Sequence, residues 1–357
     1  MAHTLRSEVL RHLEKLVSFD TTNPPRAFDE AGLYSYLQQT LPDFKHTLWN
    51  HGEGRLSLLS VRGEPSLLFN FHMDTVPATN DWTRSSFELE VRNERAVGLG
   101  ACDIKGAAAC MLTAALATDG DVALLFTSDE EAGNSHCIKT YLAAHNTFNS
   151  IVVAEPTKAE IVRAHRGIVT GTVRFKGAAG HASAQSGIGA SAVHQAVDWS
   201  HKALSWASSQ EAQSYANLEG IRFNVGTLNG GIKPNMIAPS AELKFGLRSL
   251  PDTSQRELLQ TLNTLTERYE KAEMTPGFIA PALTPTSDDL VKYLQGPVGP
   301  AVDFWTEAAL FAGAGCDTVV WGPGDIAQAH TADEWVDCNQ LDLMTAHYQR
   351  ILEYGSA

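Results

Sequence analysis

Leu67-Leu68-Phe69-Asn70-Phe71 is a short apolar run that stops at His72 and is followed by Met73-Asp74. A run of this length between polar residues reads as a buried strand. Two others follow the same plan: Val122 to Phe126 leads to Asp129, Glu130 and Glu131, and Ile151 to Ala154 stops at Glu155. Gly106 to Ala117, between the first two, is alanine-rich and made of strong helix formers. Strand, helix and strand in that order imply crossover connections and an α/β fold. Ligands in such sheets sit beyond the carboxyl ends of the strands, where each of these runs delivers an acid or an imidazole.

Upstream, Leu5, Val9, Leu10, Leu13 and Val17 recur at helical spacing, and Thr22-Asn23-Pro24-Pro25 stops the helix. Downstream of Arg166 the texture changes. Val169 to Phe175 and Glu242 to Leu247 alternate like half-exposed strands, while Ala190 to Leu204 and Ser254 to Tyr269 have helical periodicity. This describes a separate α+β unit. The Pro- and Thr-rich stretch Thr275 to Ser287 reads as the linker back, after which Ala301 to Val336 resumes a buried α/β pattern. The chain therefore divides into a discontinuous first domain, 1–165 with 286–357, and an inserted domain, 166–285. Its 357 residues exceed the usual size of one hydrophobic core, in keeping with two domains.

A formal charge of -14 repels polyanions, so nucleic acid is excluded as a partner. The five cysteines, Cys102, Cys110, Cys137, Cys316 and Cys338, form no C-x-x-C pair, which argues against a disulfide framework or a thiolate zinc site and for a reducing cytoplasm. Met1 to Phe19 lacks the continuous apolar core of a signal peptide, and no stretch has the length to span a bilayer, so no membrane association is expected.

His72 and Asp74 are alternate residues at a strand end, so one can bind a metal while the other supports the back of the imidazole; a structural hydrogen-bonded pair would look the same. Asp103, in Gly100-Ala101-Cys102-Asp103-Ile104-Lys105-Gly106, precedes a helix. It suits either a helix cap or a carboxylate shared by two cations. Asp129-Glu130-Glu131 is the strongest single motif, because adjacent acids at a strand end repel unless a cation or shared proton compensates, although solvated acidic loops exist. With Glu155 in Ala154-Glu155-Pro156-Thr157 and His330 in Ala329-His330-Thr331, the donors are nitrogen and oxygen without thiolate, which suits zinc, cobalt or manganese.

In register, these pieces resemble the M20 family of metallopeptidases, and within it the acetylornithine and acetylcitrulline deacetylases. The resemblance covers essentially the whole chain. It is carried by His72-Met73-Asp74-Thr75-Val76-Pro77, Cys102-Asp103-Ile104-Lys105-Gly106, Ser128-Asp129-Glu130-Glu131, Ala154-Glu155-Pro156-Thr157, Gly180-His181-Ala182-Ser183 and Gly322-Pro323-Gly324-Asp325-Ile326-Ala327-Gln328-Ala329-His330. It implies a zinc-peptidase-like α/β/α sandwich with an inserted α+β lid and dimerisation domain. It further implies two divalent ions, zinc or cobalt, with Asp103 between them, His72 and Glu155 on one, and Glu131 and His330 on the other. Glu130 would be the general base, Asp74 the acid behind His72, and Asp103-Ile104 a cis peptide. His181 would donate to the oxyanion, reaching the site of the neighbouring subunit in a homodimer. The family often has a proline shortly after this histidine, where this chain reads Ala184-Gln185-Ser186.

The resemblance also marks Asn235 and Arg248 as carboxylate-binding residues of the lid and Glu307 as facing the substrate side chain. Arginine suits a planar carboxylate because its fork donates two parallel hydrogen bonds. Taken alone, Arg248 would be a solvated strand residue and Asn235 a turn residue after Pro234. The implied reaction is removal of acetyl from N2-acetyl-L-citrulline or N2-acetyl-L-ornithine, a step of arginine biosynthesis. Ser18-Phe19-Asp20-Thr21 and Asp303-Phe304-Trp305-Thr306-Glu307-Ala308 favour the citrulline branch. Alternatives on the same scaffold are a succinyl-diaminopimelate-type desuccinylase, a dipeptidase and a non-catalytic metal-binding protein; the last is disfavoured because Glu130 is needed for catalysis and not for holding metal.

Overall fold

A computed structural model describes residues 2–25, 30–133, 135–145, 147–183 and 191–354. In chain order the first elements are α1 (Ala2–Val17), α2 (Ser35–Thr40), β1 (Lys45–Asn50), β2 (Leu56–Arg62), β3 (Leu67–His72), β4 (Glu90–Arg92) and β5 (Arg95–Val97). Then come α3 (Gly106–Leu116), β6 (Val122–Thr127), α4 (His136–His145) and β7 (Ser150–Val153). The middle of the chain holds β8 (Gly167–Lys176), β9 (Gly180–His181), α5 (Ala192–Ser209), β10 (Ser214–Tyr215), β11 (Leu218–Glu219) and β12 (Arg222–Gly230). It continues with β13 (Met236–Ile237), β14 (Ser240–Ser249), α6 (Gln255–Thr266) and β15 (Glu273–Ala280). The chain closes with α7 (Asp289–Leu294), α8 (Ala308–Gly313), β16 (Asp317–Val320), β17 (Trp335–Asp337) and α9 (Cys338–Tyr354).

One compact unit comprises Met1–Arg163, Pro285–Gly299 and Thr306–Ala357. Its six-stranded sheet has the order β1-β2-β6-β3-β7-β16, in which β6, β3, β7 and β16 run parallel. Every residue of β3 and β6 is buried, as expected of parallel strands covered on both faces. Helices α1, α3 and α9 pack together in one layer, where Phe69 meets Tyr348 edge-on. In the other layer α4 packs on α8, which lies on β7 and β16. Helix α3 is buried from Gly106 to Ala115, so its alanines serve close packing on all sides and not one amphipathic face. Gly106 is required at its start: a Cβ there would stand 2.4 Å from the carbonyl oxygen of Ala101.

The second unit comprises Ala164–Thr284 with Pro300–Trp305. Its antiparallel sheet has the order β12-β14-β8-β15. Strands β8 and β14 alternate between buried and exposed positions, and Val173, Phe245 and Leu247 join Trp199 of α5 and Leu262 of α6 in a core of their own. Ser191 and Ser254 cap α5 and α6 by accepting from the amides of His194 and Glu257.

The stretch expected to be a linker from Thr275 starts instead inside β15, which pairs with β8. Pro276 misled that reading. It is tolerated because β15 is an edge strand, with a break in register between Pro276 and Ile279. Ala190, the expected start of a helix, lies outside the described residues, as do Ala184, Gln185 and Ser186.

Candidate metal centre and active site

The parallel strands end at one edge of the sheet. His72 is the last residue of β3, Glu130 and Glu131 follow β6, Glu155 follows β7, and the loop carrying His330 follows β16. Asp103 arrives from the turn before α3, where the backbone leaves helical geometry at Asp103 and Ile104 and the Asp103-Ile104 peptide is cis. No side chain, that of Asp103 included, caps the start of α3 among the described residues. The two oxygens of Asp103 divide instead: Oδ1 lies 2.9 Å from His72 Nε2, and Oδ2 lies 3.3 Å from His330 Nε2.

Around these contacts, His72 Nε2 is 3.7 Å from Glu155 Oε1, and His330 Nε2 is 3.0 Å from Glu131 Oε1. The donor atoms of His72, Asp103 and Glu155 lie within 4.8 Å of one another, as do those of Asp103, Glu131 and His330. Two triads sharing one carboxylate can hold a pair of metal ions. His330 reaches its place in a left-handed backbone conformation (φ 58°), which a histidine seldom adopts and which its loop must enforce.

The charge pattern fits cations. Burial would lower the pKa of His72, yet Glu155, Asp103 and Asp74 raise it well above the usual imidazole range. Asp103 and Glu131 raise His330 to about 11. Burial drives Glu155 up to about 7, against the pull of His72. Burial and then Glu131 push the Glu130 carboxyl well above the ordinary range. The cluster thus draws positive charge to two points, one beside each imidazole, with hard oxygen and nitrogen donors and no thiolate in either triad.

Asp74 is wholly buried behind this cluster. The nearest acceptor to His72 Nδ1 is the main-chain oxygen of Asp74 at 3.1 Å, while the carboxylate stands at 3.5 Å. That carboxylate accepts from the amides of Glu130 at 3.2 Å and Glu131 at 2.9 Å, so it ties the acidic turn to the end of β3. Asp129 turns away: its carboxylate accepts from the amides of His136 and Cys137 at the start of α4. Glu307 is buried, its Oε1 has no hydrogen-bond partner among the described residues, and burial followed by Asp129 raises its carboxyl well above normal.

Three expected residues lie in the second unit. His181 of β9 pairs with Met236 of β13, and the amide of Ala182 donates to the carbonyl of Asn235, so His181 and Asn235 share one small ribbon. The Ser183 amide donates to His181 Nδ1, and its hydroxyl lies 2.7 Å from the same nitrogen, which leaves the ring proton on Nε2. Arg248 is half-buried, burial lowers its pKa, and among the described residues the one hydrogen bond of its side chain is a long contact of 3.5 Å to Leu247 O.

The family model for peptidase family M20/M25/M40 matches residues 68–354. The chain belongs to peptidase family M20. It is 46% identical over 361 residues, 98% of each chain, to N-acetyl-L-citrulline deacetylase of Xanthomonas campestris pv. campestris. It is 30% identical, over 92% of each chain, to acetylornithine deacetylase of Myxococcus xanthus. Among solved structures, an M20 metallo-carboxypeptidase from Sulfolobus solfataricus superposes with a TM-score of 0.79 at 16% identity, covering 97% of this chain and 98% of that one. The likeness at that identity is one of fold. The chain is thus an M20 hydrolase with the mixed α/β architecture of the family.

Two residues of this M20 hydrolase escaped the sequence reading. Asn23 is buried and donates through Nδ2 to Asp74 Oδ2 at 3.0 Å and to Ser128 O at 3.2 Å. Its setting before two prolines pointed only to a helix stop. Glu334 is buried beneath the Asp103 turn, where burial and then Asp103 raise its carboxyl to about 7. Its position four residues after His330 was the one available signal. Among the described residues no helix is long and apolar enough to cross a membrane.

Proposed function

We propose that this M20 hydrolase removes the acetyl group from N2-acetyl-L-citrulline or N2-acetyl-L-ornithine and releases acetate. The observation that carries the reading is 46% identity across 98% of both chains with an N-acetyl-L-citrulline deacetylase. The paired triads around Asp103 support hydrolysis at a two-metal centre. His72 and Glu155 would hold one divalent ion, Glu131 and His330 the other, and Asp103 both; zinc suits this donor set, and cobalt is the alternative. Bound there, the ions would supply Lewis acidity toward the amide carbonyl and acidify water.

Glu130 takes the proton of the attacking water on its carboxylate and returns it to the leaving amine nitrogen as the acetyl C–N bond breaks. Asp74 holds the main chain of Glu130 and Glu131 in place for this exchange. His181 Nε2 carries a proton suited to donate to the oxyanion, and we assign it to the site of the neighbouring subunit of a homodimer. Arg248 and Asn235 bind the substrate carboxylate, a role favoured by a half-buried guanidinium short of partners. Glu307 faces the distal end of the substrate side chain. In this reading 1–165 with 286–357 form the metal-binding catalytic domain, and 166–285 form the lid and dimerisation domain. The five buried free thiols fit a reducing cytoplasm.

Acetate, succinate and amino-acid release from acetylated, succinylated and dipeptide substrates, assayed side by side on metal-loaded protein, test the assignment. Acetylcitrulline or acetylornithine should give the highest kcat/KM. Preference for a succinylated substrate or a dipeptide would replace deacetylation by that activity.

A further inference from the structure

The main chain before Asp103 presents three buried amides to a single carboxylate. Glu334, 1% exposed, accepts from Gly100 N at 3.0 Å through Oε2, and from Cys102 N at 2.9 Å and Asp103 N at 3.0 Å through Oε1. Without it these amides would lose their acceptor in a place closed to water, a cost proteins seldom tolerate. One of the three belongs to Asp103 itself, so the clamp acts one bond from the Cα that aims the carboxylate.

The clamp and the second imidazole share one short segment. His330 and Asp333 both have left-handed backbones, and Asp333 is fastened from the other side by the amide of Thr83 at 3.0 Å and its hydroxyl at 2.7 Å. The backbone of Glu334 accepts from Gly98 N at 3.0 Å, which locks the segment to the same loop a second time. Residues 330–334 thus carry both His330 and the carboxylate that holds the Asp103 main chain.

We propose that Glu334 is the positioning residue for Asp103: it fixes the Gly100–Asp103 main chain so that the two carboxylate oxygens divide between the His72 and His330 sides. The second of two divalent ions binds tightly only when that division is held. This rests on the two-metal reading of the site. Glu334→Gln is nearly isosteric, but with Oε1 kept on Cys102 and Asp103 its amide NH2 confronts the N–H of Gly100, donor against donor. Glu334→Asp keeps the charge and withdraws the carboxylate by one methylene.

The test uses full-length protein stripped of metal and titrated with Co2+ alone, read by visible absorption and calorimetry, with circular-dichroism melting of the metal-free forms alongside. Wild type should take two equivalents. Glu334→Gln should keep the fold and the first equivalent, and bind the second roughly 10–100-fold more weakly, the usual effect of removing a residue that orients a metal ligand. Wild-type affinity for both equivalents in the variant, or equal weakening of both, overturns the proposal. Should Glu334→Gln not fold, Glu334→Asp decides by the same criteria; if neither folds, Glu334 is a folding residue and the proposal fails. A wild type that takes fewer than two equivalents overturns the two-metal reading itself, which separates that failure from one in the variants alone.

Discussion

Glu130 and Glu131 are neighbours whose surroundings pull them apart. Glu131 meets His330 at 3.0 Å, whereas neither triad includes Glu130 and its carboxyl is raised by burial and by Glu131. If Glu130 moves the proton, Glu130→Gln lowers kcat for the acetylated substrate by roughly 10²- to 10⁴-fold, the usual worth of a positioned acid or base. Metal content and melting temperature should stay at wild type. Undiminished turnover would remove Glu130 from the mechanism. At this scale the sequence was legible where a side chain stood at a strand end, as with His72 and Glu155. Asp129 was not legible. Its acidity next to Glu130 suggested compensation by a cation or a shared proton, but its oxygens go to the amides of His136 and Cys137. Asn23 and Glu334 stayed hidden because the Asn23 amide shares itself with a main-chain oxygen and the Glu334 carboxylate accepts from main-chain amides, and no residue type announces such partners.

Among the elements, α1 carries a buried histidine away from the site. His12 is 1% exposed, its Nδ1 lies 2.7 Å from Tyr36 Oη, and Arg11 Nη2 donates to Nε2 at 3.0 Å. Burial, and then Arg11, lower its pKa to about 4 from the ordinary 6.5. The unfolded chain therefore binds a proton here between those values and the folded chain does not. His12 should leave stability untouched above pH 6.5, erode it as pH falls below 6.5, and complete the loss near pH 4, on the order of 3 kcal/mol. His12→Gln should flatten that part of the curve in urea melts taken from pH 7.5 to 4. An unchanged pH profile in the variant would remove His12 as its source. The amphipathic pattern foretold α1 and the apolar runs foretold β3, β6 and β7, since periodicity reports burial directly. β15 was missed because Pro276 signals a break in sequence, while only the sheet reveals it as an edge strand.

For the whole molecule, sequence order already separated a parallel α/β unit from an α+β insertion, because the two kinds of sheet bury different faces. Pro300–Trp305 did not follow that division. Asn217 bonds both the carbonyl and the amide of Ala301, and Arg166 holds Asp303 at 2.6 Å, contacts between distant residues that no local pattern encodes. The net charge of -14 is partly the charge of the site itself, where Asp103, Glu131 and Glu155 converge with Glu130 beside them. Whether they converge to cradle two ions through one shared aspartate is decided most directly by anomalous diffraction from zinc-loaded crystals, measured on both sides of the zinc absorption edge. A two-ion centre built on Asp103 gives two anomalous peaks, one liganded by His72, Asp103 and Glu155 and the other by Asp103, Glu131 and His330. A single peak at full zinc loading, or two peaks of which either lacks Asp103 as a ligand, would contradict it.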